Sequence, residues 1–421
     1  MKILVVGSGA REHALCGAFG KSGAATEIFC ADGNAGIAQI ARCVNIKPTE
    51  IEKLADFAEE NSIDLTFVGG ETALALGIVD EFEKRNLKIV GASREAARLE
   101  ASKSFAKDFM ARHEIPTANY AAANSTREAL SILQSGQFGG ENSPVVVKAD
   151  GLAAGKGVVV AENRAQAADA INDLKNLVGE NAARKIVLEE CLFGREVSLL
   201  LFADGESFAL MPPVRDHKRI FENDTGANTG GMGTITGANL LTAEQTAEIV
   251  EKIVEPTLAG CRAENFPFGG ILFLGLMMTE TGAKLLEYNA RFGDPETQAI
   301  LVRLETDFVE ICEAICEKKL GDLEIKWKSG TSACVVLAAK NYPQKPQTGD
   351  EIFGLDNIET DVQIFHAGTA KNENGKFITA GGRVLSVTAT AENLDEALRK
   401  AYQAVGEISF DGMQFRRDIG K

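Results

Sequence analysis

The sequence lacks the paired cysteine and histidine spacings that bind metal ions, although the chain is 421 residues long. Its eight cysteines form no C-x-x-C pair and its four histidines show no ligand spacing, so the sequence gives no zinc signature. No apolar run approaches the ~20 residues that would span a bilayer, and the N-terminus lacks a signal-peptide pattern. Scattered cysteines indicate a reducing compartment. We therefore expect a cytoplasmic protein that does not bind membranes.

The sequence also contains fewer basic residues than acidic ones. Lys and Arg number 44 against 60 Asp and Glu, which gives a formal net charge of −16. A surface of this sign repels polyanions, so we expect no nucleic-acid partner. Apolar residues make up 45% of the chain, which is enough for real cores. At roughly 100–200 residues per domain, the length predicts two to four domains.

The N-terminal part alternates short strands with helices, which predicts a doubly wound parallel sheet. Ligands of such sheets bind beyond the carboxyl ends of the strands. Three glycine-containing loops are expected there, at residues 7–9, 33–36 and 69–72. Backbone N–H groups of residues 33–36 could reach a phosphate, although plain turn chemistry explains each loop equally well.

The first loop disfavours a nicotinamide dinucleotide. Glu12 stands where the third glycine of G-x-G-x-x-G would be, and a lone G-x-G is weak evidence. A nicotinamide-dependent oxidoreductase is kept only as an alternative, because it would explain the first domain alone.

A glycine-rich segment over residues 145–161 predicts two strands joined by a flexible turn. It is not a Walker loop, because Gly157 replaces the Ser/Thr and a strand follows instead of a helix. Its glycines and Lys156 can fold over a triphosphate as a mobile flap, and Lys148 would direct an ammonium at phosphate oxygens. Lys103 and Lys107 lie one turn apart on an upstream helix, a pattern that surface lysines often show.

Residues 186–190 predict a strand that leads into a short linker. Backbone groups of such a linker can pair with an adenine edge, so we place Glu189 or Glu190 near the adenine. A carboxylate just beyond can accept ribose hydroxyls, and Glu196 has that place.

Residues 212–233 lack regular periodicity and predict a long irregular loop. Such a loop inside a compact domain is usually functional or disordered. Its mixed charges and its glycines favour a substrate loop. His217 has no recognisable triad partner, so we assign it no general-base role.

A predicted hairpin over residues 272–288 carries the strongest signal. Glu287 and Asn289 stand two apart at its end, so strand alternation points both side chains to one face. A carboxylate and an amide oxygen suit Mg²⁺, which takes its other ligands from phosphates and water. Arg291 has the same parity, which would bring a phosphate or carboxylate beside the metal. Taken alone, this pattern is better explained by an ordinary strand with solvated side chains.

From Ser332 onwards short strands and one helix predict a small α+β domain, so the fold class is α/β with α+β character in the C-terminal part. Five segments follow: 1–102, the doubly wound domain; 103–121, a linker and the start of the central lobe; 122–193, a small subdomain with the glycine-rich flap; 194–328, the central lobe; and 329–421, the C-terminal domain.

Six motifs occur in one order along the chain: GSGAREHAL (7–15), GNAG (33–36), KADGLAAGKGV (148–158), DHKR (216–219), NTGGMG (228–233) and EYNARFGDPETQ (287–298). Together they resemble the glycinamide ribonucleotide synthetases, a family of the ATP-grasp superfamily, over nearly the whole chain. The resemblance implies a multidomain ATP-grasp ligase of purine biosynthesis. It would join glycine to 5-phosphoribosylamine through glycyl phosphate, with ATP and Mg²⁺ (or Mn²⁺), and we expect a monomer.

The resemblance also implies roles for individual residues. Catalytic roles fall on Arg291, Lys148 and Asp216. ATP contacts fall on Lys103, Lys148, Gly151, Gly155, Lys156, Gly157, Glu189, Glu190, Leu192 and Glu196. Substrate contacts fall on Gly9, Arg11, Glu12, Gly33, Asn34, Ala35, Gly36, Glu71, Asp216, Lys218, Arg291 and Gly293. The metal ligands are Glu287 and Asn289.

Two departures from the family pattern bear on these roles. Gly70 stands where the family loop carries proline, which affects the rigidity of the loop before Glu71. The strand before the hairpin turn ends in residues 276–278, LMM, without an acidic ligand, so only two protein ligands are expected. Another ATP-grasp carboxylate–amine ligase of purine metabolism stays an alternative. A non-catalytic nucleotide-binding regulator is disfavoured by intact Lys148, Glu287 and Asn289.

Overall fold

The N-terminal domain is a parallel sheet flanked by helices in this computed structural model, which describes residues 1–152, 157–357 and 361–421. Its elements are β1 (Lys2–Gly7), α1 (Ala10–Phe19), β2 (Glu27–Asp32), β3 (Arg42–Val44), α2 (Ile51–Glu60), β4 (Leu65–Val68), α3 (Glu71–Leu76), α4 (Ile78–Lys84) and β5 (Ile89–Val90). The strand order is β3-β2-β1-β4-β5 and all pairs are parallel. The predicted doubly wound sheet is therefore confirmed.

The sequence pattern predicts one continuous helix over residues 74–85, and this prediction is wrong because the helix is interrupted. Gly77 adopts a left-handed φ of 89° and divides the segment into α3 and α4. A residue with a Cβ rarely adopts this conformation, so glycine ends the first helix and redirects the chain.

A smaller lobe follows, with an antiparallel sheet covered by two helices. Its elements are α5 (Arg98–Ala101), α6 (Lys103–Arg112), β6 (Tyr120–Ala123), α7 (Thr126–Gln134), β7 (Val145–Ala149), β8 (Val158–Ala161), α8 (Arg164–Val178) and β9 (Ile186–Glu190). The strand order is β6-β9-β7-β8. Apolar side chains of α7 and α8 pack on this sheet as a core of their own.

The central and C-terminal parts share one nine-stranded sheet. The central elements are β10 (Arg195–Asp204), β11 (Phe208–Leu210), β12 (Val214–Asp216), β13 (Arg219–Phe221), β14 (Thr225–Asn228), β15 (Gly233–Thr236), α9 (Ala243–Ile249), α10 (Glu255–Ala263), β16 (Gly269–Thr279), β17 (Gly282–Asn289), α11 (Glu296–Leu301) and α12 (Phe308–Glu317). The C-terminal elements are β18 (Thr331–Ala338), β19 (Val362–His366), β20 (Thr369–Lys371), β21 (Phe377–Thr379), β22 (Arg383–Ala391) and α13 (Leu394–Glu407).

Two features of the central and C-terminal parts differ from the sequence-based expectation. The prediction of an irregular loop over residues 212–233 is wrong in part, because β12, β13, β14 and the start of β15 occupy it. In addition, β15 pairs with β18, so the C-terminal strands extend the central sheet. The strands within residues 212–233 are too short for local periodicity to reveal them. The pairing of β15 with β18 joins segments that lie too far apart in sequence.

Buried aromatic rings join the N-terminal sheet to the central sheet. The ring of Phe67 on β4 lies 5.4 Å from Phe308 and 6.1 Å from Phe292. Phe202 on β10 lies 6.2 Å from Phe292. These contacts fix the carboxyl ends of the parallel strands against the end of the β16–β17 hairpin. Within the described part of the chain, none of the helices is both long and apolar enough to cross a membrane.

We expect Phe67→Ala to lower the free energy of unfolding by about 3–5 kcal/mol, because it leaves a cavity between the two sheets. Phe353→Ala is the matched control, since that ring is 55% exposed whereas Phe67 is 1% exposed. Urea denaturation followed by tryptophan fluorescence and circular dichroism measures both. Equal losses in the two variants would contradict this packing.

Candidate active site

The β16–β17 hairpin holds Glu287 and Asn289 on one face, as alternation predicted. Glu287 pairs with Gly275 across the hairpin, and Asn289 pairs with Phe273. The side chain of Glu287 crosses Gly275, where an added Cβ would lie 3.1 Å from Glu287 Cγ. Glycine at this position therefore gives the carboxylate its space.

Glu287 faces several cations. Lys218 Nζ lies 3.9 Å from Glu287 Oε1 and 3.6 Å from Glu196 Oε2, in a cleft where the lysine side chain stays 44% exposed. Desolvation alone would raise the pKa of Glu287, but Lys218, Lys148 and other nearby cations lower it below its usual value. The carboxylate is therefore ionised at neutral pH, which is the form that binds a metal ion.

Two lysines share the buried carboxylate of Glu189. Lys148 Nζ lies 2.8 Å from Glu189 Oε1, and Lys107 Nζ lies 3.0 Å from Glu189 Oε2. Burial lowers the pKa of Lys107 to about 8, although Glu189 raises it. Lys148 Nζ also approaches the carbonyl of Leu286, at 3.4 Å. Glu189 therefore contacts both lysines directly.

Lys107 is a site residue that the sequence analysis left out in favour of Lys103. Both lie on α6, but the side of the helix facing Glu189 carries Lys107, which is 2% exposed. Lys103 lies near Glu287, Lys148 and Asp150, and burial foremost lowers its pKa. The available signal was the apolar spacing of residues 106, 109 and 110, all buried, which places Lys107 towards the core.

The glutamates that follow Glu189 in the sequence have other partners. Glu190 accepts hydrogen bonds from the backbone N and Nδ2 of Asn119, at 2.8 and 3.0 Å. Leu192 lies in the linker between β9 and β10, and Glu196 faces Lys218. Of the two glutamates proposed near an adenine, Glu189 therefore faces the lysines and Glu190 holds the entry to β6.

The glycine-rich segment is described only at its two ends. The N–H of Ala149 donates to the carbonyl of Gly157 at 2.8 Å, and that of Gly151 to Ala182 at 3.2 Å. Asp150 Oδ1 accepts the N–H of Ser104 at 2.6 Å in the first turn of α6. Gly155 and Lys156 lie outside the described residues.

Arg291 is held between two carboxylates. Its Nη2 lies 2.7 Å from Glu100 Oε1, and its Nε lies 3.1 Å from Glu71 Oε2. Arg291 Nη2 also donates to Asn289 Oδ1 at 3.3 Å, which ties the guanidinium to a predicted metal ligand. Glu100, which sequence reasoning missed, also accepts the N–H of Ala290 at 2.8 Å. No local motif marks Glu100, because its role depends on the meeting of α5 with the end of β17.

Glu12 closes the first N-terminal loop. It accepts the N–H of Gly9 at 2.6 Å and the Nε of Arg11 at 2.6 Å. An added Cβ at Gly69 would lie 2.0 Å from Glu12 Oε1, so the glycines around this carboxylate give it room. Arg11 Nη1 donates to the carbonyl of Phe292 at 3.0 Å, which brings this loop to the hairpin end.

Asn34 organises the loop of residues 33–36. Its Oδ1 accepts the N–H groups of Gly36 and Ile37, both at 2.9 Å. The N–H of Gly33 donates to Gly7, and that of Ala35 approaches Thr369 at 3.5 Å. Several of the backbone donors predicted to reach a phosphate thus have partners within the chain.

The C-terminal domain covers this loop through His366. An added Cβ at Gly36 would lie 2.2 Å from His366 Cγ, and Asn34 Nδ2 donates to the His366 carbonyl at 2.8 Å. The N–H of His366 donates to His13 Nδ1 at 2.8 Å. Burial lowers the pKa of His366 to about 4, so its ring is neutral at pH 7.

Asp216 and Glu296 form a carboxylate pair on the far side of the cleft. Burial, and then the charge of Glu296, raises the pKa of Asp216 well above its usual value. Asp216 Oδ1 accepts the N–H of His217 at 2.7 Å. Arg383 lies close by, with Nη2 3.4 Å from Asp294 Oδ2. Gly293 adjoins Glu296, because an added Cβ there would lie 2.2 Å from Glu296 Oε2.

This arrangement gathers lysines, an arginine and ionised carboxylates around the hairpin end. Glu287 and Asn289 supply a carboxylate and an amide oxygen, the donor types that Mg²⁺ takes from proteins. Among the described residues, no group of three His, Cys, Asp or Glu side chains forms a metal site. A metal here would therefore complete its shell with phosphate oxygens and water.

Three family models together cover most of the chain. They are described as Phosphoribosylglycinamide synthetase, with its N domain at residues 1–100, its ATP-grasp (A) domain at 101–297 and its C domain at 332–421.

Curated relatives match over the full length. The chain is 45% identical over 420 residues to a phosphoribosylamine–glycine ligase of Caldanaerobacter subterraneus subsp. tengcongensis, covering 100% of this chain and 99% of the relative. It is 44% identical to one of Clostridium acetobutylicum, covering 100% of both chains. A crystal structure of such a ligase from Thermotoga maritima superposes with a TM-score of 0.84, at 32% identity and 100% coverage of both chains.

We expect Glu189→Gln to lower the pKa of Lys107 below 8, because the amide removes the negative charge that raises it. NMR titration of the lysine ε-carbon signal, assigned with Lys107→Arg, measures the change. Glu190→Gln is the matched control, since Glu190 contacts Asn119 instead of the lysines. An unchanged pKa in Glu189→Gln would show that the ion pair does not control this lysine.

Proposed function

The chain belongs to the phosphoribosylglycinamide synthetase family, and we propose that the site at its hairpin end carries out the reaction of that family. The reaction is the ADP-forming ligation of glycine to 5-phosphoribosylamine in purine biosynthesis. Full-length matches to phosphoribosylamine–glycine ligases make the chain an ATP-dependent carbon–nitrogen ligase.

The observation that carries the residue assignments is the convergence of Lys148, Lys218 and Lys103 on the ionised carboxylate of Glu287. Phosphates of ATP lying between these groups would find cations on several sides. Lys107 joins this set through its shared partner Glu189. Gly151, Gly157 and Glu196 border the same space, and Gly155 and Lys156 stay predicted flap residues.

In the first step, a carboxylate oxygen of glycine attacks the γ-phosphorus of ATP. The bond between that phosphorus and the β,γ-bridging oxygen breaks, ADP leaves, and glycyl phosphate forms. Lys148 and Lys103 would neutralise charge on the transferring phosphoryl group. Glu287 and Asn289 would hold Mg²⁺ or Mn²⁺, whose charge stabilises the phosphate oxygens when bound.

In the second step, the amine of phosphoribosylamine attacks the acyl carbon. The bond from that carbon to the phosphate oxygen breaks, phosphate leaves and the amine loses one proton. Arg291 would stabilise the oxyanion of the tetrahedral adduct. Its two carboxylate partners, Glu71 and Glu100, fix the direction in which its guanidinium points. No side-chain nucleophile is needed.

Asp216 would bind the ammonium group of glycine. Burial and Glu296 raise the pKa of Asp216 although Lys218 and Arg383 oppose the rise, so the positive charge of the substrate would further stabilise its ionised form. Lys218 and Gly293 border the same pocket and would accommodate the carboxylate end.

Phosphoribosylamine would bind at the carboxyl end of the N-terminal sheet. Gly9, Arg11, Glu12 and Glu71 would lie at the sugar and amine, and residues 33–36 at the phosphate. The Asn34 side chain holds residues 33–36 in a fixed conformation. This fixed conformation supports the proposed role of the loop. We also expect His366 to contribute, because it covers Gly36.

The alternatives are weaker on specific grounds. A nicotinamide-dependent oxidoreductase leaves the ATP-grasp match over residues 101–297 unexplained. A ligase for a different carboxylate is disfavoured by the full-length matches to phosphoribosylamine–glycine ligases. A cytoplasmic location and a monomeric state stay predictions.

The function is tested by ADP formation with Mg²⁺-ATP and phosphoribosylamine generated in situ. We expect ADP release to require glycine and to match glycinamide ribonucleotide in amount. β-Alanine and formate are parallel substrates for the alternative ligases. ADP release with either of them, and none with glycine, would refute the proposal.

We expect Glu287→Gln to lower kcat by about 100-fold or more with only a modest loss of ATP affinity, because the carboxylate charge matters most while phosphoryl charge redistributes. Glu280→Gln, in the exposed turn of the same hairpin, is the matched control. Steady-state rates and nucleotide titration separate the two effects. A near-normal kcat would remove Glu287 from the metal site.

A further inference from the structure

The C-terminal tail, residues 415–420, lies against the loop that carries Asp216 and Lys218. We call residues 216–229 the substrate loop. The tail meets it through Arg416, whose side chain is only 2% exposed. A guanidinium this deeply buried needs full hydrogen bonding to be stable.

Arg416 satisfies that need with partners on both segments. Its Nε and Nη2 contact the two oxygens of Asp418 in the tail, each at 2.8 Å. Its Nη1 donates to Asp224 Oδ1 at 2.7 Å and to the carbonyl of Arg219 at 3.2 Å. One buried cation thus ties the substrate loop to the tail at two points.

Asp418 adds a third connection. Its Oδ2 accepts the N–H of Asn223 at 2.8 Å. Asn223 and Asp224 have left-handed φ values of 57° and 51°, so the turn between β13 and β14 depends on this support. The tail is fixed in turn to α13, since Tyr402 Oη donates to the carbonyl of Arg416 at 2.8 Å.

Of the described contacts between the tail and the substrate loop, the one made by His217 is nearest to the proposed glycine site. Its Nε2 accepts the N–H of Gly420 at 3.0 Å, and its Nδ1 donates to the carbonyl of Gly233 at 3.1 Å. Burial lowers the pKa of His217 to about 4, so the ring is neutral and can play both roles. Asp216 and Lys218 flank this residue directly, and the positive charge of Lys218 acts on the pKa of Asp216.

We infer that Arg416 is a positioning residue, which holds the substrate loop against the C-terminal tail and so keeps Asp216 and Lys218 in place for glycine. This inference rests on the proposed function, because it needs Asp216 at the glycine site. Lys218 also faces Glu196 and Glu287 of the proposed ATP site, but the other ATP contacts lie on α6, β7 and β17, and those of phosphoribosylamine lie on the N-terminal loops. Loosening the substrate loop should therefore weaken glycine binding more than ATP binding.

The test compares Arg416→Met with Arg417→Met in the full-length enzyme. Arg417 is the neighbouring residue of the same type, but its side chain is 72% exposed and its ion pair with Glu222 is 3.9 Å long. We expect Arg416→Met to raise the KM for glycine about tenfold, the size expected for loss of a charge-assisted hydrogen bond. The KM for ATP should stay within about twofold of the wild-type value in both variants.

Two further readouts separate positioning from a general loss of structure. Hydrogen exchange should quicken in residues 217–228 of Arg416→Met and stay unchanged in the N-terminal sheet. Arg416→Lys, which keeps the charge and part of the hydrogen bonding, should restore part of the glycine affinity. A KM for glycine in Arg416→Met equal to that of Arg417→Met would overturn the inference.

Asp216→Asn distinguishes this inference from the proposed function. A raised KM for glycine in Asp216→Asn together with an unchanged value in Arg416→Met overturns the positioning role alone. An unchanged value in Asp216→Asn overturns the glycine site, and the positioning role with it.

A fifth variant covers the case in which Arg416→Met does not fold. Asp224→Asn removes one partner of Arg416 at a side chain that is 72% exposed. It should still raise the KM for glycine, by about threefold, since one ion pair is weakened while the guanidinium keeps Asp418. No change in this variant would overturn the inference.

Discussion

A buried cation needs a carboxylate or other hydrogen-bond acceptors beside it, because taking a charge out of water alone costs several kcal/mol. This constraint arranges the whole site. Lys107 and Lys148 share Glu189, and Arg291 lies between Glu71 and Glu100. Lys218 lies between Glu196 and Glu287 and is partly exposed to solvent. Its ion pairs are therefore weaker than the buried ones, and a substrate anion can more easily replace one of its carboxylate partners.

The partners of Arg291 come from different parts of the chain, so forming these two ion pairs also joins the domains. Arg291 follows β17 of the central sheet, whereas Glu71 begins α3 of the N-terminal domain. The aromatic contact of Phe67 with Phe292 lies next to this junction and excludes water from it. Folding and the assembly of the active site are thus the same event: the packing that stabilises the domains also brings the phosphate-binding lysines, the metal ligands and the phosphoribosylamine loops to one cleft.

Local patterns predicted a large part of this arrangement. Alternation along residues 284–289 placed Glu287 and Asn289 on one face, and strand–helix alternation predicted the N-terminal sheet, because both depend on neighbours in sequence. What they missed depends on distant contacts. The inward side of α6 that carries Lys107 could be inferred from the apolar residues 106, 109 and 110, but its partner Glu189 on β9 could not. Glu100 carries no motif of its own, and the pairing of β15 with β18 joins strands nearly a hundred residues apart.

The arrangement of charges is suited to activating a carboxylate by phosphorylation, and oxygen labelling tests that claim most directly. Glycine carrying ¹⁸O in both carboxylate oxygens is converted with ATP and phosphoribosylamine, and the products are analysed by mass spectrometry. If glycyl phosphate forms, one ¹⁸O appears in inorganic phosphate and the other remains in the amide of glycinamide ribonucleotide. Phosphate free of ¹⁸O would contradict the account, because the carboxylate oxygen would then never have been bonded to phosphorus.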